Sequence, residues 1–262
     1  MKMIDVKELS FKYQTKGKFV LDKLDFSCEK GTVNVLIGLN GSGKTTLIKI
    51  LAGLLGNYQG KVFIDGKDLK GLSIKERAKK MAYVAQRSNA VDDFPVLDYL
   101  LFGTVNKMNF YQSPKEEDKK KVLDCAEEFG ITYLLDKKLV EISGGERQIV
   151  SICAAIVQDT NLVILDEPTS ALDIKNQNKV LSVIKQIAQD KGKTFILSSH
   201  NPNHALYLDS NVCVLKNGLI ADTGRAKDVV TVENLAKVYG NNICYGDELP
   251  YREISFKDVA HE

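Results

Sequence analysis

Gly38-Leu39-Asn40-Gly41-Ser42-Gly43-Lys44-Thr45 fits the pattern G-x-x-x-x-G-K-[ST] without a departure. The residue types state the chemistry. Glycines let successive backbone N–H groups turn inward around phosphate oxygens, and a helix opening at the loop adds favourable partial charge. Lys44 is placed to reach the β- and γ-phosphates of a nucleotide, and the Thr45 hydroxyl to ligate Mg²⁺, with Thr46 beside it. With glycine near 7% usage, a chance match in a chain of this length is on the order of 1%. The loop is therefore read as a phosphate site.

A second constellation lies in "LVILDEPTSALD", four apolar residues followed by Asp166 and Glu167. A buried strand ending in two acids can place one at a metal and the next at an attacking water. Asp166 is assigned to Mg²⁺, directly or through water, and Glu167 to orienting or deprotonating the water that attacks the γ-phosphate. Acids at a strand end are usually solvated caps; the phosphate loop and the Pro168-Thr169-Ser170 that follows decide against that here. His200 ends the apolar run "TFILSS" and Gln86 ends "MAYVAQ". Neither means anything alone, though His200 sits at the sheet edge where α/β sites form. One further turn, Ser143-Gly144-Gly145 followed by Glu146, also looks built to hold an anion, yet it has no lysine.

The elements that must position these groups alternate along the chain. Residues 4–13 alternate, 32–37 form a compact apolar run, and "KVFID" before Gly66 is a strand and turn. Residues 45–55 carry the aliphatic spacing of a helix. From 87 to 159 the pattern turns helical, with Ser113-Pro114 as a helix start and 151–157 continuing the helix after Gly145. Strand 162–165, helix 174–189 and strand 194–198 then alternate, which argues for a parallel sheet. A hairpin is predicted about Asn217-Gly218. The predicted fold class is α/β: a P-loop NTPase core with a parallel sheet, an N-terminal antiparallel β part and an inserted helical part. Residues 1–86 and 160–240 form the core, 87–159 the helical insert, and 241–262 a C-terminal extension.

Composition narrows the class. A net charge of +2, from 36 basic and 34 acidic residues, gives no pull toward nucleic acid, and none is expected as a partner. Five scattered cysteines, with no C-x-x-C pair, read as buried or free thiols in a reducing compartment. The opening "MKMIDVKELS" has no apolar leader, and no run approaches the roughly 18–20 apolar residues of a membrane span. A cytoplasmic protein is expected, with any membrane role supplied by a partner.

Taken in order, the phosphate loop, the strand-end Gln86, Ser143-Gly144-Gly145, the Asp166-Glu167 strand, "SALD" and the strand-end His200 resemble the ATP-binding subunits of ABC transporters, over essentially residues 2–240. The resemblance implies two subunits paired head to tail. The Ser143-Gly144-Gly145 turn of each, with Glu146, would close over ATP held by the other's phosphate loop, so it needs no lysine. It further implies that Tyr13 stacks on adenine, in preference to Phe11. Gln86 would sense Mg²⁺ and water, His200 the γ-phosphate, and Asp173 would communicate between the two sites. Departures are mild: Leu39 replaces a common proline, Ile142 a usual leucine, Glu146 a frequent glutamine, and Asn201 a frequent aspartate. None removes a catalytic group, and an active symmetric homodimer binding ATP and Mg²⁺ is expected.

In that family the segment after the glutamine receives a coupling helix from a transmembrane permease. Here it is "RSNAVDDFPVLDYLLFG", whose Phe94, Val96 and Leu97 either line a docking groove or belong to the core of the insert. "FPVLDYLLFG", the tyrosine-containing stretch after it and the late "VYGNNI" are similar to importers of metal chelates: iron–siderophore, haem, cobalamin and related oxyanion systems. The implied location is the cytoplasmic face of the membrane, on permease subunits served indirectly by an external substrate-binding protein. Two other placements remain, the ATPase of a soluble iron–sulfur assembly scaffold and an efflux system with a separate membrane subunit.

Overall fold

The computed structural model describes residues 1–14, 17–86, 93–107 and 114–240, and the backbone alone at 243–245 and 254–256. An antiparallel pair opens the chain, β1 (Lys2–Phe11) with β2 (Leu21–Glu29). The chain then crosses to a second sheet through β3 (Val33–Ile37) and enters α1 (Lys44–Leu51). It returns for β4 (Gln59–Ile64) and the short β5 (Lys67–Asp68), completing a four-stranded sheet of order β2-β1-β4-β5. After α2 (Ile74–Lys80) and β6 (Met81–Val84) come α3 (Val96–Phe102), α4 (Glu116–Glu128) and α5 (Gly144–Val157). The core resumes with β7 (Leu162–Leu165), α6 (Ile174–Lys191), β8 (Thr194–Ser198) and α7 (Asn203–Tyr207). A hairpin of β9 (Asn211–Lys216) and β10 (Leu219–Arg225), then α8 (Ala226–Val229) and α9 (Val232–Tyr239), complete it. Beyond them β11 (Ile243–Tyr245) pairs antiparallel with β12 (Ile254–Phe256).

The second sheet has order β10-β9-β3-β8-β7-β6, parallel throughout except for β10. Every residue of β3, β7 and β8 is buried, which is why these strands read as unbroken apolar runs. Alternate residues feed opposite layers. Val35, Val163, Leu165, Phe195 and Leu197 join the core beneath α4, α5 and α6. Leu36, Leu162, Ile164 and Ile196 join the core shared with α1 and the antiparallel sheet. Each fully buried aliphatic side chain contributes about 1.5–3 kcal/mol of transfer free energy. With both faces covered, the loops at the strand ends are what remains accessible.

Several elements depart from the sequence reading. The helix expected over 45–55 stops at Leu51, where Gly53 (φ 73°) turns the chain and Leu54 N–H returns to Lys49 O. The alternation expected through Tyr13 ends at Phe11 and is interrupted by register shifts around Glu8 (φ 49°). Helix α2, which has no buried residue and is held by a Ser73–Glu76 capping box, was not anticipated, nor were α7, α8 and α9, while β2 falls in the antiparallel part expected at the N-terminus, where no bounds were assigned to it. Pro114 precedes α4, while Ser113 lies outside the described residues. So do 87–92 of the expected docking segment, Asn241 and Asn242, and most of 246–262. Within the rest of that segment the two readings divide. Val96 is wholly buried in the core and Leu97 packs against it, whereas Phe94 stays exposed, edge-on to exposed Phe102 at 5.3 Å. Among the described residues no helix is long and apolar enough to cross a membrane.

Candidate active site

Four loops leave the same edge of the sheet because β3, β8, β7 and β6 are parallel neighbours. Gly38 follows β3, His200 follows β8, Asp166-Glu167 follow β7 and Gln86 follows β6. Sequence positions up to 187 residues apart are gathered around one cleft of ≈ 700 Å³, lined by Tyr13, Val20, residues 40–46, Gln86, Glu167 and His200.

The phosphate loop is tight against its scaffold. Gly38 has φ 150°, and a Cβ there would sit 2.2 Å from Leu215 O. At Gly43 (φ 107°) a Cβ would sit 2.6 Å from Leu21 Cδ2. Neither position accommodates a side chain. Gly43 provides no side-chain cap for α1, and the first turn of that helix carries no acid. Its N–H groups are left for an outside acceptor. Ser42 Oγ is buried with no hydrogen-bond partner. The Lys44 ammonium is folded over the loop, donating to Gly38 O at 2.8 Å and Leu39 O at 3.1 Å. Burial pulls it below the ordinary lysine range, against the opposing pull of Glu167 and Asp166. An uncapped helix start, an orphaned hydroxyl and a buried cation together fit an anion with several oxygens.

The carboxylates are held separately. Asp166, 1% exposed, accepts hydrogen bonds at Oδ1 from Ser198 Oγ (2.8 Å) and Thr45 Oγ1 (3.2 Å). Burial pushes its carboxyl above the ordinary aspartate range, and these two donors partly reverse that. Thr45 Oγ1 and Asp166 Oδ1, side by side at the head of α1, are a hard oxygen pair of the kind that Mg²⁺ takes. Glu167 adopts a left-handed backbone (φ 49°), which turns the chain sharply off β7. Its N–H donates to Ser198 Oγ at 2.9 Å. One carboxylate oxygen, Oε2, accepts from Gln86 Nε2 and the other, Oε1, meets His200 Nε2, each at 2.5 Å. The acid expected to handle water thus sits between the two strand-end residues that meant nothing alone.

Sequence reasoning missed Ser198, whose hydroxyl links Asp166 to the backbone of Glu167. The signal available was a hydroxyl two residues before His200 at a strand end. It also missed Val20 in the cleft wall. Tyr13 lies beyond β1, 60% exposed, with its hydroxyl 3.1 Å from Thr46 Oγ1, while Phe11 is buried and meets the Tyr13 ring edge-on. Of these two rings, the cleft is lined by Tyr13.

Ser143, Gly144, Gly145, Glu146 and Asp173 do not line this cleft. Ser143 caps α5, donating to Glu146 Oε2 (2.7 Å) and accepting from Glu146 N–H (3.2 Å). The Ser143 N–H, its hydroxyl and Tyr133 Oη hold the Glu146 carboxyl below the ordinary range. Ser143 and Gly144 are exposed, and open space surrounds the Cα of Gly144. Asp173, also exposed, caps α6 through Asn176 N–H at 2.8 Å.

The ABC transporter family matches residues 21–170, more than half of the chain. The chain belongs to the ABC transporter ATP-binding family. A probable iron chelatin transport ATP-binding protein of Helicobacter pylori is 35% identical, with 90% of this chain and 92% of that one covered. Relatives named for molybdate and phosphonates import are 31% and 34% identical. Among solved structures, an inward-facing metal-chelate type ABC transporter superposes with a TM-score of 0.83 at 27% identity, over 99% of both chains. A dimeric ATP-binding cassette solved after hydrolysis with ADP and phosphate superposes with a TM-score of 0.78 at 25% identity, over 86% of this chain and 99% of that one. An ABC cassette is an ATP-binding, ATP-hydrolysing unit, and this chain is an ATPase of that kind.

Proposed function

We propose that this chain drives import of a metal chelate, of the iron–siderophore, haem or cobalamin class, as the ATP-hydrolysing subunit on a separate transmembrane permease. The observation that carries the reading is the likeness to a metal-chelate type transporter over 99% of both chains, which the iron chelatin relative supports from sequence. Two copies pair head to tail on the cytoplasmic side of the membrane, with an external binding protein delivering cargo to the permease.

Each residue has a task. Residues Gly38, Asn40, Gly41, Ser42, Gly43 and Thr46 cradle the phosphates, and Lys44 leaves the carbonyls of Gly38 and Leu39 for phosphate oxygens. Tyr13 offers its ring to adenine. Thr45 and Asp166 would hold Mg²⁺ with help from Gln86, and the ion would supply charge neutralisation to the phosphates. Glu167 orients the attacking water and takes its proton, Gln86 and His200 fixing the plane of its carboxylate. Ser143, Gly144 and Gly145 act on the partner's nucleotide, consistent with the exposure of Ser143 and Gly144 and with none of the three lining the cleft of their own chain. To reach a phosphate, Ser143 must exchange its bond to Glu146 for one to the nucleotide. Asp173 stands on the same loop as the Ala171 carbonyl that backs Gly145, a route between the two sites.

The test is affinity capture of tagged Glu167→Gln protein, with ATP, from detergent-solubilised native cells, with partners identified by mass spectrometry. A polytopic membrane protein encoded with a metal-chelate binding protein is expected. A soluble assembly scaffold without any membrane protein would overturn the transport reading and leave the ATPase standing.

A further inference from the structure

Two cysteines outside the nucleotide cleft face each other. Cys125 on α4 and Cys153 on α5 bring their Sγ atoms to 3.0 Å, with the Cys153 thiol donating to Cys125 Sγ. Cys125 in turn donates to the Cys153 carbonyl at 3.7 Å. Cys153 is wholly buried, whereas Cys125 is 6% exposed and lines a cleft of ≈ 240 Å³ with Lys121, Asp124, Glu128, Lys191 and Lys193. Among the described cysteines, Cys28 and Cys213 are also buried and carry no such partner.

The separation discriminates between uses of two thiols. Metal–thiolate bonds of about 2.3 Å in a tetrahedral site put sulfurs well beyond 3 Å apart, so a metal between these two would require the helices to separate. A disulfide requires the sulfurs to close by about 1 Å. Order of reaction follows from access. Cys125 is reached from the cleft, and Cys153 stands behind it as the resolving thiol.

We propose that Cys125 and Cys153 form a redox-active pair, oxidised to an intramolecular disulfide by hydrogen peroxide entering the cleft beside α4. Cys125 sulfur attacks the peroxide; the O–O bond breaks, an S–O bond forms, and the departing hydroxide takes the thiol proton as water. The product is a sulfenic acid at Cys125. Cys153 sulfur then attacks the Cys125 sulfur, the S–O bond breaks, and the leaving hydroxide takes the Cys153 proton as a second water. The balance is two thiols and one peroxide giving one disulfide and two waters. The sulfurs lose two electrons and the peroxide oxygens gain them. The bond from Cys153 to Cys125, with burial second, pushes the Cys153 thiol well up. Closure staples α4 to the helix whose first turn presents Ser143.

Hydrogen peroxide is added to the reduced full-length protein, which is alkylated, digested without reductant and mapped by mass spectrometry. A peptide pair joined through Cys125 and Cys153 is expected, reversible by dithiothreitol, with accessible thiols under denaturant falling from five to three. In Cys153→Ala, dimedone should label Cys125; in Cys125→Ala it should leave Cys153 unlabelled. A bridge made by other cysteines, or Cys125 passing to sulfinic acid in the wild-type chain with no bridge, would overturn the proposal. The wild-type map needs no variant to fold.

Discussion

Ser198→Ala removes one oxygen from the end of a fully buried strand, yet that oxygen holds both acids of the site. Its parent hydroxyl is fully buried, accepts from Glu167 N–H at 2.9 Å and donates to Asp166 Oδ1 at 2.8 Å. Leaving a buried N–H unpaired costs about 1–3 kcal/mol, and losing a hydrogen bond to a carboxylate costs about 1.5–3 kcal/mol. Because both pass through one atom the terms do not simply add, and about 3 kcal/mol is expected. For a chain of this size each kcal/mol lowers the melting temperature by about 2–4 °C, so a fall of about 6–12 °C is expected by calorimetry. Ser199→Ala, whose hydroxyl reaches Asn201 and His204 rather than the carboxylates, is the neighbouring control. A second readout is specific to the site. Ser198 draws the Asp166 carboxyl down, so its loss lets burial push that carboxyl higher. The acid limb of the ATPase–pH profile should then move to higher pH in Ser198→Ala and not in Ser199→Ala. An unshifted acid limb with a stability loss under about 1 kcal/mol would refute the anchoring role assigned to Ser198.

Three further outcomes follow from the same geometry. Glu167→Gln keeps its shape but cannot accept a proton, so kcat should fall by about 10²–10⁴ while ATP binding survives. Size-exclusion chromatography with ATP should show a stable dimer, and a monomer would contradict the paired reading. Ser143→Arg should leave nucleotide affinity of the isolated subunit unchanged by titration calorimetry and abolish hydrolysis; weakened binding to the monomer would place that turn in cis. Asp166→Asn removes a charge that burial disfavours but keeps an acceptor for Ser198 and Thr45. A raised folded pKa means that the stability Asp166 contributes is fully present below its unfolded value of 3.8 and is lost as pH rises through the folded value. The nucleotide-free variant should therefore melt above wild type at neutral pH, the gap closing on acidification, while activity is lost. A variant melting below wild type at pH 7 would reverse that sign.

What was legible depended on whether a residue's surroundings are local in the chain. The phosphate loop is one contiguous segment between a buried strand and a helix, and all of its departures from ordinary backbone are written as glycines. The parallel sheet was legible from fully apolar runs, and once parallel, it obliges Gln86, Glu167 and His200 to emerge on one edge. Ser198 was not, because its role exists only when β8 inserts between β3 and β7, an order that no local pattern encodes. The bounds of β2 were not legible because Lys23 (φ 45°) breaks its alternation, and α2 escaped because it buries nothing and rests on a cap. Tyr13 and Phe11 would share a face in a continuous strand; the end of β1 at Phe11 separates them, and only Tyr13 is released to the cleft.

The pair of anion-holding turns shows most directly what side chains add to a motif. Both open helices and both are rich in glycine, and composition separates them only by the lysine of the first. At α1 the cap is missing and the neighbouring Ser42 hydroxyl is unpaired, so a phosphate arriving there displaces only the bonds of Lys44 to its own loop. At α5 the serine and Glu146 already satisfy each other, and the carboxylate stands beside the N–H groups a phosphate would use. Two like charges cannot share that helix start without cost, so the second turn is a poor binder of free nucleotide. On the paired reading proposed above, it would engage a phosphate whose charge is already neutralised by Lys44 and a metal on another copy. On that reading the α5 turn would be a reader of a loaded site rather than a site of its own, with no need of a lysine.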